Sequence, residues 1–319
     1  MPANQKAGLR DYAVLHFVII TWGITAVLGK LITLDPAVLT AWRTGLAAFC
    51  ILVFLALRRT AWPPPHMVLR LLATGLLIGL HWFLFFRSAR QSTVSGSLAG
   101  ISTVALWVAL LEPLMIRGRR WSWAEGFFAI GVVLGILIIQ LRMPAGWTSL
   151  TIGDGGHLLE SGLFTAVLAA AVAAVFSILN ARFVQHHSAL VITGIEMASA
   201  SAICVLGAQI FAPVTGVQWW PTAQDWPWVL ILALVCTVLA YSACVWVQRR
   251  VSTFSVGIAT NLEPIYGMLL APLVFGAIEH QPPQFYAGTA LIIACVLLHT
   301  FLVHRTAKHP PAAPSPSLL

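Results

Sequence analysis

The stretch Val251–Glu279, VSTFSVGIATNLEPIYGMLLAPLVFGAIE, decides the fold. It is long enough to cross a bilayer, which takes about 20 apolar residues. Yet it carries an acid, Glu263, beside a proline, Pro264, near its middle. Both are expensive in lipid. A mid-helix proline leaves a carbonyl without its partner, and a carboxylate there must be neutralised, paired or wetted. A second stretch, Ser92–Gly118, reads STVSGSLAGISTVALWVALLEPLMIRG. With Ala105 set against Pro264, Pro113 falls on Pro272 and the Ser-rich starts stay in step. The two stretches read as the same element of two copies of one unit. The rest of the chain fits five helices to each copy.

Composition agrees. The chain has 319 residues, 59% hydrophobic and 9% charged; its mean hydropathy is +0.88. Soluble domains carry about 25% charged residues, so this is a polytopic membrane protein. The formal charge of +8 does not mark a nucleic-acid surface, because the bases punctuate apolar segments as topology signals do. Cys50, Cys204, Cys236, Cys244 and Cys295 lie in apolar runs without metal-ligand or redox spacing, and read as small buried hydrophobes. No cofactor is implied. The first apolar run is too long for a signal peptide and shows no small-residue cleavage pattern before Leu31, so it reads as an uncleaved span.

Ten spans are expected, at 11–32, 36–57, 68–87, 93–116, 123–141, 161–181, 188–212, 226–248, 252–276 and 284–303. Pro63, Pro64 and Pro65, and later Pro282 and Pro283, mark breaks. The expected organisation is an N-terminal segment 1–10, a first repeat 11–141, an external linker 142–160, a second repeat 161–303 and a disordered tail 304–319. Gly75, Gly79, Gly96, Gly100, Gly131 and Gly135 recur at spacings of four, and Ala169–Ala174 makes a small-residue face. Such spacing lets helices approach closely in lipid.

With the N-terminus in the cytoplasm, the inside segments hold Lys6, Arg10, Arg58, Arg59, Arg70, Arg117, Arg119, Arg120, Arg182, Arg249, Arg250, Arg305 and Lys308. The outer ends hold Lys30, Arg87, Arg90 and Arg142. The positive-inside rule therefore places both termini in the cytoplasm. Trp62, Trp121, Trp123, Trp147, Trp219, Trp220, Trp226 and Trp228 fall at span ends, where amphipathic rings favour the interface. Five crossings per unit make the second copy enter from the opposite side. The halves are thus expected to be inverted repeats, a frequent plan of secondary transporters.

An ordered set of short motifs carries a resemblance. They are Trp22-Gly23 and Gly29-Lys30 in the first span, Arg43 in the second, and His81-Trp82 in the third. Leu111-Glu112-Pro113 ends the fourth, and Asn261-Leu262-Glu263-Pro264 lies in the ninth. Over about residues 12–303 the chain resembles the drug/metabolite transporter superfamily, in its EamA-type members with two five-helix repeats. Phe275-Gly276, Glu279 and Gly288 look like that family's Phe-Gly-Glu and following glycine, with two extra residues before the acid. The matching acid position of the first repeat is Gly118. These departures leave the end-of-helix acid without an assigned role. The resemblance implies an all-α carrier of a small solute in the plasma (cell inner) membrane, often an exporter of amino acids or related metabolites. It also implies a site lined by the first, third, fourth, sixth, eighth and ninth spans.

Glu263 is the sharpest candidate residue. It lies about 16 Å into its span at 1.5 Å per residue, where a carboxylate can trade a proton or meet an ammonium. The alternative is a protonated acid satisfied by a neighbouring helix. Asn261 and Tyr266 can add hydrogen bonds beside it, though Tyr266 equally suits packing. Trp22, His81, Trp82 and Tyr241 are candidate lining groups for a solute, or packing residues. Arg43 and Glu196 occupy matching places in the two repeats. Inversion sets one towards each surface, so they are expected to be braced by local partners, or to snorkel. Lys30 either draws in anions or anchors its helix, and Glu112 is expected to neutralise Arg117.

Other classes fit less well. Gly153-Asp154-Gly155 is the nearest thing to an intramembrane protease motif, but it sits in the linker without a second spanning aspartate. No soluble segment is large enough for a sensor or scaffold to signal through. Nothing supplies a channel's ring of like residues, and no phosphate-binding loop supports an ATP-driven pump. The expected partners are a small-molecule solute and membrane lipids, with the chain as monomer or homodimer.

Overall fold

The computed structural model describes residues 8–116, 123–142, 151–152, 162–210, 216–251, 256, 259–260, 262–279 and 281–308. Its helices are α1 (Leu9–Leu31), α2 (Pro36–Leu57), α3 (Pro65–Gln91), α4 (Val94–Ile101), α5 (Val104–Met115), α6 (Trp123–Gln140), α7 (Gly162–Phe183) and α8 (Ala189–Ile210). Then come α9 (Trp226–Leu230), a π-helical segment Ile231–Leu239, α10 (Ala240–Val247), α11 (Glu263–Phe275), a 3₁₀ turn Gly276–Glu279 and α12 (Pro283–Lys308). Among the described residues the one sheet is a two-residue antiparallel pairing, Leu141–Arg142 with Thr151–Ile152. Seven helical stretches are long and apolar enough to cross a membrane, counting α4–α5 and Trp226–Val247 as one stretch each. Shorter apolar helices fall in α6, α11 and α12.

Helix starts follow local chemistry. Asp35 caps α2 by accepting from Ala37 N at 2.8 Å, with Pro36 in the first turn where its missing N–H costs nothing. Thr93 caps α4 by accepting from Gly96 N at 2.9 Å. Inside α2, Thr40 and Thr44 turn their hydroxyls back onto carbonyls one turn earlier, so neither is left bare in an apolar setting.

The glycine spacing becomes close helix contact. α3 packs on α7 and α8, and α2 packs on α8. A Cβ on Gly79 would come 2.9 Å from the Ala200 carbonyl oxygen of α8, so only glycine allows that approach. Gly135 of α6 lies against Gly288 of α12 in the same way: a Cβ on Gly135 would come 2.9 Å from the Gly288 carbonyl oxygen. α1 packs on α10 and α11, and α4 packs on α7 and α11.

Two expected spans are discontinuous. α4 ends at Ile101, Ser102 and Thr103 form a turn, and α5 starts at Val104. Ser102 Oγ donates to Ala99 O at 2.6 Å, and Thr103 Oγ1 donates to Gly100 O at 2.7 Å. Gly100 O also accepts from Thr103 N at 3.2 Å, so the turn keeps its carbonyls bonded locally. α11 likewise starts at Glu263, with Pro264 in its first turn. The expectation of a proline-made defect inside a continuous helix is therefore corrected, because a first-turn proline removes no helical bond. The first repeat is interrupted as well, just before Val104–Ala105, where no proline stands. In the register set by Ala105 and Pro264, Val104 and Glu263 coincide, and both begin a half-helix.

Candidate functional site

Each discontinuous span puts a helix N-terminus inside the bundle, and N-terminal N–H groups carry partial positive charge. Glu263 occupies one of these ends. Its neighbourhood is built by close backbone approach: a Cβ on Gly23 would stand 3.1 Å from the Glu263 carbonyl oxygen and 3.0 Å from Tyr266 Cβ. α1 and α11 touch there, and Trp22, one residue earlier, turns towards the π-helical segment while packing in the same cluster as Tyr266. Trp22, Glu263 and Tyr266 all keep part of their surface accessible. Trp22 and Tyr266 pack against the buried core cluster of α1 and α10.

Arg43 comes to this place from α2. It is 1% exposed, and its guanidinium lies over the Trp82 ring at 3.9 Å and near Phe86 at 5.7 Å. Its Nε donates to Thr237 Oγ1 at 2.7 Å, while Nη1 is buried without a hydrogen-bond partner. Glu263 is within electrostatic reach of it. Trp82 and Phe86 lie in the same half as Arg43, and Thr237 comes from the other. The aromatic face favours the cation by about 2 kcal/mol when desolvated. The unpartnered N–H leaves binding capacity unused.

The π-helical segment explains how Thr237 and Cys236 serve two visitors. Its wider turn lets Thr237 Oγ1 donate five residues back, to Leu232 O at 2.8 Å, while accepting from Arg43. The Cys236 carbonyl accepts from Trp22 Nε1 at 3.3 Å. π segments occur frequently at functional sites. No hydrophobic period in 226–248 announces this one.

Other expected residues separate from the cluster. His81 turns the other way, its Nδ1 2.9 Å from Ala169 O and its ring against Phe85 and Phe176. Adjacent residues on a helix face different directions, so Trp82 joins Arg43 and His81 does not. Tyr241 is buried, its ring 5.9 Å from Trp82 and 6.5 Å from Trp22. Its hydroxyl donates to Glu196 Oε2 at 3.1 Å, and Asn180 Nδ2 reaches both that oxygen at 3.2 Å and the Tyr241 hydroxyl at 2.9 Å. Glu196 is 0% exposed. Asn261 and Arg117 lie outside the described residues, and Glu112 is half-buried on α5.

A third acid closes one end of the bundle. Glu279 is fully buried and accepts from Lys30 Nζ at 2.9 Å, Val94 N at 2.9 Å, Ser95 N at 3.1 Å and Ser95 Oγ at 3.2 Å. It pairs with α1 and caps the N-terminus of α4 at once. Lys30 also lies 5.3 Å from the Phe275 ring. Of the two readings of Lys30, the structure favours the anchor. The two extra residues before Glu279 form the 3₁₀ turn that brings it back over α4. Nearby Asp225 accepts from Thr33 N and Oγ1 and from Thr222 N and Oγ1. Burial alone would raise its carboxyl, but those bonds hold it below the usual carboxylate range.

The chain matches the EamA-like transporter family twice, over residues 12–141 and 160–301. It belongs to that family. The family's members are integral membrane transporters, in agreement with the seven apolar helices. A curated relative, the "Probable amino-acid metabolite efflux pump" of Salmonella typhimurium, is 25% identical over 314 residues, covering 94% of this chain and 98% of the relative. A solved crystal structure with 18% identity aligns with a TM-score of 0.64 over 93% of this chain and 97% of its own, a likeness of fold. Arg43 and Glu263 fall in different family segments, so the cluster spans the two halves of this EamA-like transporter.

Proposed function

We propose that this EamA-like transporter is a secondary exporter of amino acids or related zwitterionic metabolites, working by alternating access between two inverted five-helix halves. One observation carries the reading. Arg43 and Glu263, of opposite charge and from opposite halves, lie within electrostatic reach of each other without a hydrogen bond between them, and Arg43 keeps an N–H without a partner. A zwitterion presents the complementary pair. Its carboxylate suits the unused Arg43 N–H, its ammonium suits Glu263, and Trp22 and Trp82 offer walls for a side chain.

Packing supports the inverted plan. Contacts of the first half recur when the halves are exchanged: α4 on α7 answers α11 on α1, and α3 on α8 answers the π segment on α2. α2 with α8, and α6 with α12, are self-matching pairs. Orientation with both termini in the cytoplasm of a cell's inner membrane rests on the Lys and Arg distribution. In that orientation the Lys30–Glu279 bond closes the outer end.

The test is counterflow in liposomes loaded with a panel of unlabelled amino acids, following uptake of one labelled member. Exchange of some amino acids, absent without protein, is the expected result. No exchange of any amino acid by correctly inserted protein, alongside exchange of another metabolite class, would overturn the substrate assignment.

A further inference from the structure

A second feature lies away from the Arg43–Glu263 cluster. A groove of about 930 Å³ runs between the first turns of α3 and the C-terminal end of α7. Its rim holds Arg70 and Arg182, with His66, His186 and His187 as further ring N–H donors, and its lining contains no acid. Its floor is apolar, from Met67, Leu77, Leu179 and Phe183. Among the described residues the Arg70 side chain hydrogen-bonds nothing, and Arg182 donates only to the Met115 carbonyl of α5, at 2.9 Å. Two guanidiniums held over an apolar floor without counter-charge form a receptor for an anion that also has an apolar part.

Position names the source of that anion. Pro65 and Phe183 are helix ends, where the bundle meets the membrane surface. The groove borders a stripe of α3 that faces outwards, with Leu69, Leu72, Leu76 and Leu80 all exposed. Such a stripe faces acyl chains in a membrane-spanning bundle. We propose that the groove binds the phosphate headgroup of an anionic phospholipid, its first acyl carbons resting on Met67, Leu77 and Phe183. Basic pockets between spanning helices at a membrane surface suit this chemistry.

The experiment is native mass spectrometry of protein released from vesicles of equal parts phosphatidylglycerol and phosphatidylcholine. Preferential retention of phosphatidylglycerol is expected. The preference should fall about fivefold in Arg70→Gln, the equivalent of about 1 kcal/mol, and about 25-fold with Arg182→Gln added. Arg182 also holds α5, so if the double variant fails to fold, the single Arg70→Gln result decides. Equal retention of the two lipids by the parent protein overturns the proposal, as does a preference unchanged in Arg70→Gln. Displacement of phosphatidylglycerol by millimolar inorganic phosphate, or by a transported amino acid, also overturns it, because the groove would then be a soluble-anion site or a solute vestibule.

Discussion

Glu263 and Glu196 are both carboxyl groups on apolar helices of the second half, and their surroundings differ in kind. Glu196 has no accessible surface, and its two donors, Asn180 and Tyr241, lie in its own half. Glu263 keeps accessible surface, starts a half-helix, and faces the charge of Arg43 from the other half. A buried acid bonded within its own half stiffens that half. An acid whose charged neighbour belongs to the opposite half is placed to feel which way the halves lean. Burial alone does not separate these roles; the origin of the partners does.

The largest effect should come from Glu263→Gln. The substitution keeps size and hydrogen bonding but removes ionisation. Losing a charge-assisted contact costs about 1.5–3 kcal/mol, so transport by inserted protein should fall roughly 10- to 150-fold between pH 5.5 and 8. Parent-level transport over that whole range would place Glu263 with Glu196 as a structural acid and erase the distinction.

Arg43→Gln should lower transport by a similar or smaller factor, and the double variant with Glu263→Gln should be little worse than either alone. Residues that act on one solute are strongly non-additive, whereas independent effects multiply. Arg43→Lys retains the charge but not the flat stack on Trp82, and should recover part of the loss. Multiplicative losses in a liposome transport cycle would show that the two charges serve separate steps.

Much of this contrast was hidden in the sequence. Length and polarity located the apolar helices, and the paired stretches at Ser92 and Val251 placed the two half-helix starts in common register. Proline signals a break, but the Ser102–Thr103 turn has no proline and interrupts its span at the matching place. For Arg43 the sequence offers partners within its own half, and Trp82 is one; the bond to Thr237 is not legible there, because inversion says where a helix enters, not how far a long side chain reaches across. Asn180 and Thr237 are ordinary polar residues in apolar runs, and only three-dimensional packing sets one beside Glu196 and the other beneath Arg43. Glu279 was legible as a motif position, while its bonds to Lys30 and α4 depend on the chain's return through the 3₁₀ turn.

Glu196→Leu should act on stability rather than on transport. It strands the Asn180 amide and the Tyr241 hydroxyl, although these still bond each other at 2.9 Å. The cost should be about 1–3 kcal/mol, read as a lower melting temperature in detergent, with transport per folded molecule unchanged. Glu196→Gln, which can still accept from both donors, should cost less. A loss of transport in Glu196→Gln without a loss of melting temperature would move Glu196 into the same class as Glu263.

The smallest effect, and the finest test, is Tyr241→Phe. Tyr241 belongs to both settings: its ring touches Trp22 and Trp82 beside Arg43, while its hydroxyl belongs to Glu196. The substitution removes only the hydroxyl. The ring contacts survive, Asn180 still donates to Glu196, and the carboxyl loses one of its two donors. One neutral hydrogen bond contributes about 1 kcal/mol net, so the expected outcome is a slightly lower melting temperature and transport within about twofold of the parent. Tyr241→Ala should behave differently, because it strips the aromatic wall as well and should reduce transport through Trp22 and Trp82. Should Tyr241→Phe alone abolish transport while the fold holds, the hydroxyl would be acting on the solute or on a moving proton. Glu196, its acceptor, would then be part of the transport path, and the line drawn between the two acids would have to be moved.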